Sequence, residues 1–197
     1  MRMKKNKIIF WVIWSVLVFL GFYTISKTPI VSTLNLLQRA SGVLIFTLLF
    51  IQIILGAYPE KLSDKLGNWV YNVHAVQGPV IYLLVIVHPL FQLIFNYKLF
   101  HIFDPFYVYT QVCFLCKNKT ELFYTFGRLA FWFLTLAIFW KKLYFLNYAA
   151  FFLFALHGWF VGSDFHTSPL IFFFWFAVAA VFLSAARQIR LRKEKGL

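Results

Sequence analysis

The stretch WVYNVHAVQGPVIYLLVIVHPLFQLIF, residues 69–95, decides the fold of this chain. It is longer than the roughly 20 apolar residues that a helix needs to span a membrane, yet it contains two histidines, His74 and His88. Ionisable side chains inside such a span are costly to bury and usually mark a functional site. The two histidines are therefore the main clue to function.

Five other apolar runs accompany this one, and the chain is 62% hydrophobic and only 13% charged. That composition excludes a soluble globule with a polar surface. There is no P-loop and no GxGxxG motif after a strand pattern, so we expect a single domain, residues 1–197, without a soluble flavin or nucleotide domain. The prediction is an all-α, polytopic membrane protein, a six-transmembrane-helix bundle of residues 8–25, 36–57, 69–95, 122–140, 143–161 and 170–186.

The basic residues cluster at the ends of the apolar runs, so the net charge of +13 indicates membrane topology and not nucleic-acid binding. We expect a multi-pass protein of the cell (inner) membrane with both termini in the cytoplasm. This orientation puts 13 of the 19 basic residues on the cytoplasmic side, namely Arg2, Lys4, Lys5, Lys7, Lys61, Lys65, Lys141, Lys142, Arg187, Arg190, Arg192, Lys193 and Lys195.

His74 and His88 share one face of the third run, because the fourteen residues between them make close to four helical turns, about 21 Å. A third histidine, His157, lies near the end of the fifth run, which crosses in the same direction, so His88 and His157 are predicted at similar depth. Two facing imidazoles in an apolar slot are the usual axial ligands of a b-type haem. The residues thus predict haem between helices three and five. The alternative is that each histidine only bonds a backbone carbonyl, and for His74 both interpretations stay open.

Four segments resemble the ferric reductase-like transmembrane domain: RASGVLIFTLLFIQIILGA (39–57), VHAVQGPVIYLLVIVHPL (73–90), GRLAFWFL (127–134) and NYAAFFLFALHGWFVGSDF (147–165). That superfamily includes ferric reductases, NADPH oxidases and the haem-binding membrane subunit of methionine sulfoxide reductase. In its fuller members, two histidines on each of helices three and five hold an inner and an outer haem. By resemblance, His88 and His157 are the axial ligands of the outer haem, and His74 is a candidate ligand at the inner site.

This chain departs from the family pattern at Tyr144, thirteen residues before His157, where the resemblance implies a second histidine. The inner haem is absent, or Tyr144 is its second ligand, or the register of the fifth helix is different; we favour one haem. Arg39 and Arg128 are predicted to contact the haem propionates, because guanidinium binds carboxylate in a bidentate manner. The alternative for both is snorkelling to the lipid headgroups.

The predicted function is electron transfer across or within the membrane to an outer-side acceptor, which is ferric iron, oxygen or a partner reductase subunit. The donor must be a separate flavoprotein, with flavin as its cofactor, or a membrane quinol. One rival is a membrane thiol oxidoreductase using Cys113 and Cys116, although a structural disulfide is the favoured interpretation of that Cys-x-x-Cys pair. The other rival is a non-redox transporter lined by histidines.

Overall fold

The computed structural model describes residues 2–194, and all regular secondary structure within that range is helical. This confirms the predicted all-α class. The α-helices are α1 (Arg2–Ser26), α2 (Thr33–Ala57), α3 (Pro59–Leu66), α4 (Trp69–Phe100), α5 (Tyr107–Thr110), α6 (Lys119–Phe139), α7 (Leu146–Val161) and α8 (Leu170–Glu194), with 3-10 turns at Lys141–Leu143 and Ser163–His166.

Five helices are long and apolar enough to cross a membrane, namely α1, α2, α4, α6 and α8. The remaining predicted run, the fifth at residues 143–161, forms α7, which is apolar but only 16 residues long. At 1.5 Å per residue, α7 is about 24 Å long and falls short of the roughly 30 Å hydrocarbon core. The helical membrane class is thus confirmed with five candidate spans and one shorter apolar helix.

Helix α2 is the centre of the bundle. In its most apolar 18-residue window 61% of the residues are buried, against 17–33% in the other four spans. It packs against α1, α4, α7 and α8, and Phe46 stacks on Phe151 and Phe174 with ring centroids 5.2 Å apart. Because α2 touches α4 and α7, it can present side chains to both histidine-bearing helices.

Polar side chains define where α2 and α6 begin. The Ser32 hydroxyl accepts a hydrogen bond from the Asn35 amide at the start of α2, and the Asn118 side chain accepts one from the Thr120 amide at the start of α6. Both capping residues have extended backbone conformations, as is typical of this position. Arg39 and Arg128 follow these caps in the first half of α2 and of α6, at the same end of the bundle as His88.

Two internal prolines, Pro79 and Pro89, deprive α4 of backbone donors. Side chains from other elements donate to carbonyls next to those that the prolines free. Gln52 Nε2 lies 2.9 Å from the His74 carbonyl oxygen, and Tyr109 Oη lies 2.6 Å from that of Ile86. Neighbouring elements thus stabilise an interrupted helix at both of its histidine-bearing parts.

A candidate two-histidine site in a cavity

The imidazole of His88 lies against α2, where Ser41 hydrogen-bonds it and Gly42 lies close to it. His88 Nδ1 is 2.9 Å from Ser41 Oγ, and that hydroxyl donates its one hydrogen to the Gln38 carbonyl at 2.9 Å. With the hydroxyl hydrogen on the Gln38 carbonyl, Ser41 accepts from His88 Nδ1, and the lone pair of the ring then lies on Nε2. A Cβ added to Gly42 would lie 3.2 Å from His88 Cε1, so glycine permits this close approach.

The imidazole of His157 is held in the same way by α6. Its Nδ1 lies 3.0 Å from the carbonyl oxygen of Phe123, and because a carbonyl only accepts, this nitrogen carries the proton. A Cβ on Gly127 would lie 3.0 Å from Nδ1. Both histidines therefore have the same tautomer. Among the described residues, no protein hydrogen bond engages Nε2 of either ring.

His88 and His157 face each other, with ring centroids 6.4 Å apart and ring planes at 89°. They lie on α4 and α7, which share few direct contacts, and each is held by a helix other than its own. The structure thus brings together the pair that the sequence predicted to lie at similar depth.

A cavity of about 520 Å³ includes both rings among its lining residues. Its volume falls within the roughly 300–1,000 Å³ of small-molecule and cofactor sites. Apolar side chains such as Val85, Phe131 and Phe154 line it, together with a group of polar ones. The polar group is Gln38, Arg39, Gln92, Asn96, Tyr107, Glu121, Tyr124, Arg128 and Asp164.

Arg39 lines the cavity but is fully engaged by the protein. Its Nε donates to Asp164 Oδ2 at 2.9 Å and its Nη2 to Asp164 Oδ1, while the remaining donors reach the Pro29 and Ile25 carbonyls and the Asn35 side chain within 3.5 Å. A guanidinium has five N–H donors, and all five have acceptors here. This leaves Arg39 none for the carboxylate contact predicted from the sequence.

Arg128 is more deeply buried than Arg39 but makes fewer hydrogen bonds. Only one hydrogen bond of its guanidinium is found among the described residues, from Nη1 to the Gln111 carbonyl at 2.6 Å, and the Glu121 carboxylate lies 3.5 Å away. The rings of Tyr107 and Tyr124 lie 5.0 and 6.0 Å from the guanidinium carbon. Arg128 therefore keeps N–H donors from which a carboxylate in the cavity could accept hydrogen bonds.

Residues 107–113, here called the covering segment, close one side of the cavity. The Tyr109 carbonyl accepts a hydrogen bond from Trp132 Nε1 at 2.9 Å. The Tyr109 hydroxyl donates to the Ile86 carbonyl of α4, as described above. Burial raises the pKa of the Tyr109 hydroxyl, which therefore stays a donor. The segment ends at Cys113, which forms a disulfide with Cys116 and donates its amide to Thr125 Oγ1 at 3.0 Å. The disulfide turn is thus attached to α6, one turn before Arg128.

His74 lies at the other end of the bundle, beside Gly56 of α2 and Tyr144. A Cβ on Gly56 would collide with the Tyr144 hydroxyl and lie 3.1 Å from His74 Cε1. The Tyr144 hydroxyl and the His74 ring thus both lie against Gly56. His74 Nδ1 and Gln52 Oε1 are buried without a hydrogen-bond partner among the described residues.

Sequence reasoning missed Ser41, Gly42, Gly127 and the pairing of Asp164. One signal was available: Gly42 and Gly56 are fourteen residues apart on α2, the same spacing as His74 and His88, so each glycine faces one histidine. His166, outside the cavity, is exposed and bonds the Trp159 carbonyl through Nε2 at 2.7 Å.

The site can hold a group that takes two nitrogen ligands on opposite sides. Within residues 2–194, no cluster of three or more His, Cys, Asp or Glu side chains is positioned to hold a bare metal ion. No known protein family, curated protein or solved structure matches the chain.

Proposed function

We propose that this protein binds one b-type haem between α4 and α7 through His88 and His157 and transfers electrons within the membrane. The observation that carries the proposal is the relation of the two rings: centroids 6.4 Å apart, both Nδ1 atoms bonded to protein and both Nε2 atoms left for a ligand. When bound, haem supplies a reversible one-electron ferric/ferrous couple.

The ring separation fits a shared metal. Metal to imidazole nitrogen bonds are about 2.0–2.1 Å long, so two imidazoles on opposite sides of one ion have centroids roughly 6 Å apart. The Nδ1–H bonds to Ser41 and Phe123 match the usual outer-shell arrangement of metal-bound histidine, in which the second ring nitrogen donates to an oxygen. The cavity then supplies an apolar slot with a polar end.

The polar end fits the two propionates of a haem. Arg128 keeps free N–H donors there, and the amides of Gln38 and Gln92 lie in the same lining. Because Arg39 is saturated by Asp164, we assign the charged propionate contact to Arg128 and a structural role to Arg39. The two arginines, for which the sequence predicts the same propionate contact, are thus assigned different roles.

One haem, not two, is favoured by the surroundings of His74. Tyr144 lies where the resemblance implies a second histidine, and its hydroxyl packs on Gly56 beside the ring. The His74 end of the bundle would then be the cytoplasmic end, where a partner flavoprotein or a quinol delivers electrons. The His88 end would face an outer acceptor such as ferric iron, oxygen or a partner reductase.

The membrane arrangement belongs to the same proposal. We infer six spans, with α7 completed by the turns on either side of it, in the cell membrane and with both termini cytoplasmic. The excess of Lys and Arg at the His74 end supports this orientation.

A membrane thiol oxidoreductase is the second candidate, favoured by one observation. Cys113 and Cys116 form a disulfide in a turn whose two intervening residues, Phe114 and Leu115, are 65% and 99% exposed, so a partner can reach it. A histidine-lined transporter is the third, and it requires neither cofactor nor disulfide chemistry.

Visible spectroscopy separates these candidates. The purified protein, reconstituted with haemin, should show a Soret band that sharpens on dithionite reduction. We expect His88→Ala and His157→Ala to lose the six-coordinate spectrum, and His101→Ala, an exposed histidine outside the cavity, to keep it. A wild-type protein that stays colourless after reconstitution would overturn the proposal. Thiol oxidoreductase activity lost in Cys113→Ser, in protein without haem, would establish the second candidate instead.

A further inference from the structure

Within residues 2–194, Ser41 is the only side chain found to hydrogen-bond either of the facing imidazoles. His157 donates to a backbone carbonyl, which substitution leaves in place, whereas Nδ1 of His88 has its hydrogen bond with the Ser41 hydroxyl. Ser41 is buried, with 8% of the residue exposed. Its hydroxyl bridges two groups, the His88 ring and the Gln38 carbonyl of its own helix. The hydroxyl is therefore oriented by its bond within α2, and through its second hydrogen bond it orients the His88 ring of α4.

This bridge fixes two properties of His88. When the hydroxyl hydrogen is on the Gln38 carbonyl, the ring donates from Nδ1 and Nε2 is the basic nitrogen. Because Gly42 lets the ring lie against α2 while Ser41 holds one edge, rotation about the bond from Cβ to the ring is restricted. The perpendicular arrangement with His157, at 89°, is the result.

We propose that Ser41 is a positioning residue that holds the ring plane and the tautomer of His88 and so tunes the reduction potential of the haem it would bind. The inference rests on the proposed function and deepens it. A hydrogen bond from Nδ1–H makes the imidazole a stronger donor to the metal, which favours ferric over ferrous iron. Ser41 thus lowers the potential and keeps the axial planes perpendicular.

The test compares Ser41→Ala with Ser41→Thr, which keeps a hydroxyl, in haem-loaded protein. Low-spin ferric haem with perpendicular axial planes gives a highly anisotropic electron paramagnetic resonance signal, and parallel planes give a rhombic one. We expect Ser41→Ala to shift the signal toward the rhombic form and to raise the midpoint potential. Ser41→Thr should restore both toward wild type.

Ser184→Ala is the matched control, because Ser184 is also buried and bonds the carbonyl four residues back in α8, away from both histidines. It should leave the signal and the potential unchanged. Haem loss in Ser41→Ala with retention in Ser41→Thr would also support the proposal. An unchanged signal and potential in Ser41→Ala would overturn it, as would equal changes in Ser184→Ala or haem loss from both Ser41 variants.

The two proposals fail in distinguishable ways. If wild-type protein binds no haem, the proposed function fails before Ser41 is tested. If wild-type protein shows a spectrum that depends on His88 and His157, while Ser41→Ala matches it in signal shape and potential, only the role of Ser41 fails.

Discussion

Arg39 in the first turns of α2 forms a two-point ion pair with Asp164, which follows α7 by three residues. Asp164 is buried, with 3% of its side chain exposed, and Arg39 is mostly buried, at 12%. Thr28 adds a third hydrogen bond to the carboxylate at 2.8 Å. The pair ties the start of α2 to the end of the helix that carries His157. It therefore fixes the His88 end of the bundle.

Replacing the carboxylate tests the strength of this tie. Asp164→Asn leaves a buried guanidinium without its counter-charge, and removing one partner of a buried pair costs about 3–5 kcal/mol. We expect a marked fall in the thermal unfolding temperature of the detergent-solubilised protein. The control is Glu194→Gln, which breaks the exposed Arg190–Glu194 pair and should change stability by less than about 0.5 kcal/mol. Equal effects of the two changes would contradict the structural role of Arg39.

Adding a methyl group at Gly42 or Gly127, the glycines next to His88 and His157, tests the close approach of the helices. Gly42→Ala and Gly127→Ala each put a Cβ within 3.2 Å of a ring, and overpacking of this kind costs about 1–3 kcal/mol. We expect haem affinity, measured by haemin titration, to fall about tenfold or more. Gly78→Ala meets the Gln52 side chain at 3.1 Å and serves as a control of equal crowding away from both rings. The prediction fails if all three variants bind haem equally well.

The number of haems is tested at Tyr144. A pyridine haemochrome assay should give a haem-to-protein ratio near one in wild-type protein, and Tyr144→Phe and His74→Ala should not lower it. The reason is that the Tyr144 hydroxyl fills the space beside His74 without serving as a ligand. A ratio near two that drops to one in Tyr144→Phe would show that Tyr144 binds a second haem.

The covering segment predicts an effect of the disulfide on cofactor retention. In Cys113→Ser/Cys116→Ser the turn is no longer closed, and the contact between Gln111 and Arg128 is held less firmly. We expect an unchanged Soret band with faster transfer of haem to apomyoglobin, several-fold above wild type. Lys117→Ser, next to the disulfide and exposed, should transfer haem at the wild-type rate. A disrupted spectrum in the double variant would instead place the cysteines in the cofactor site.

Much of the fold could be read from local pattern. Apolar runs of spanning length predicted the helices α1, α2, α4, α6 and α8, because hydrocarbon leaves the backbone no other partner than itself. The run at residues 143–161 was harder, since its first residues form a 3-10 turn and α7 begins only at Leu146. Hydropathy cannot detect such a turn, because it depends on backbone hydrogen bonds and not on composition.

The candidate site was predictable only in part. Helical periodicity and helix direction were sufficient to pair His88 with His157. They could not show that the donors of Arg39 are taken by Asp164, 125 residues later, or that Ser41 holds the His88 ring. Those pairings depend on which helices become neighbours.

The sequence by itself determined that this is a helical membrane protein and which histidines share a face and a depth, because both follow from hydrophobicity and from 3.6 residues per turn. Only the tertiary structure decided which nitrogen of each ring is hydrogen-bonded to protein and which arginine keeps free donors. Those outcomes depend on single hydrogen bonds between distant helices, formed when α2 and α6 pack against α4 and α7.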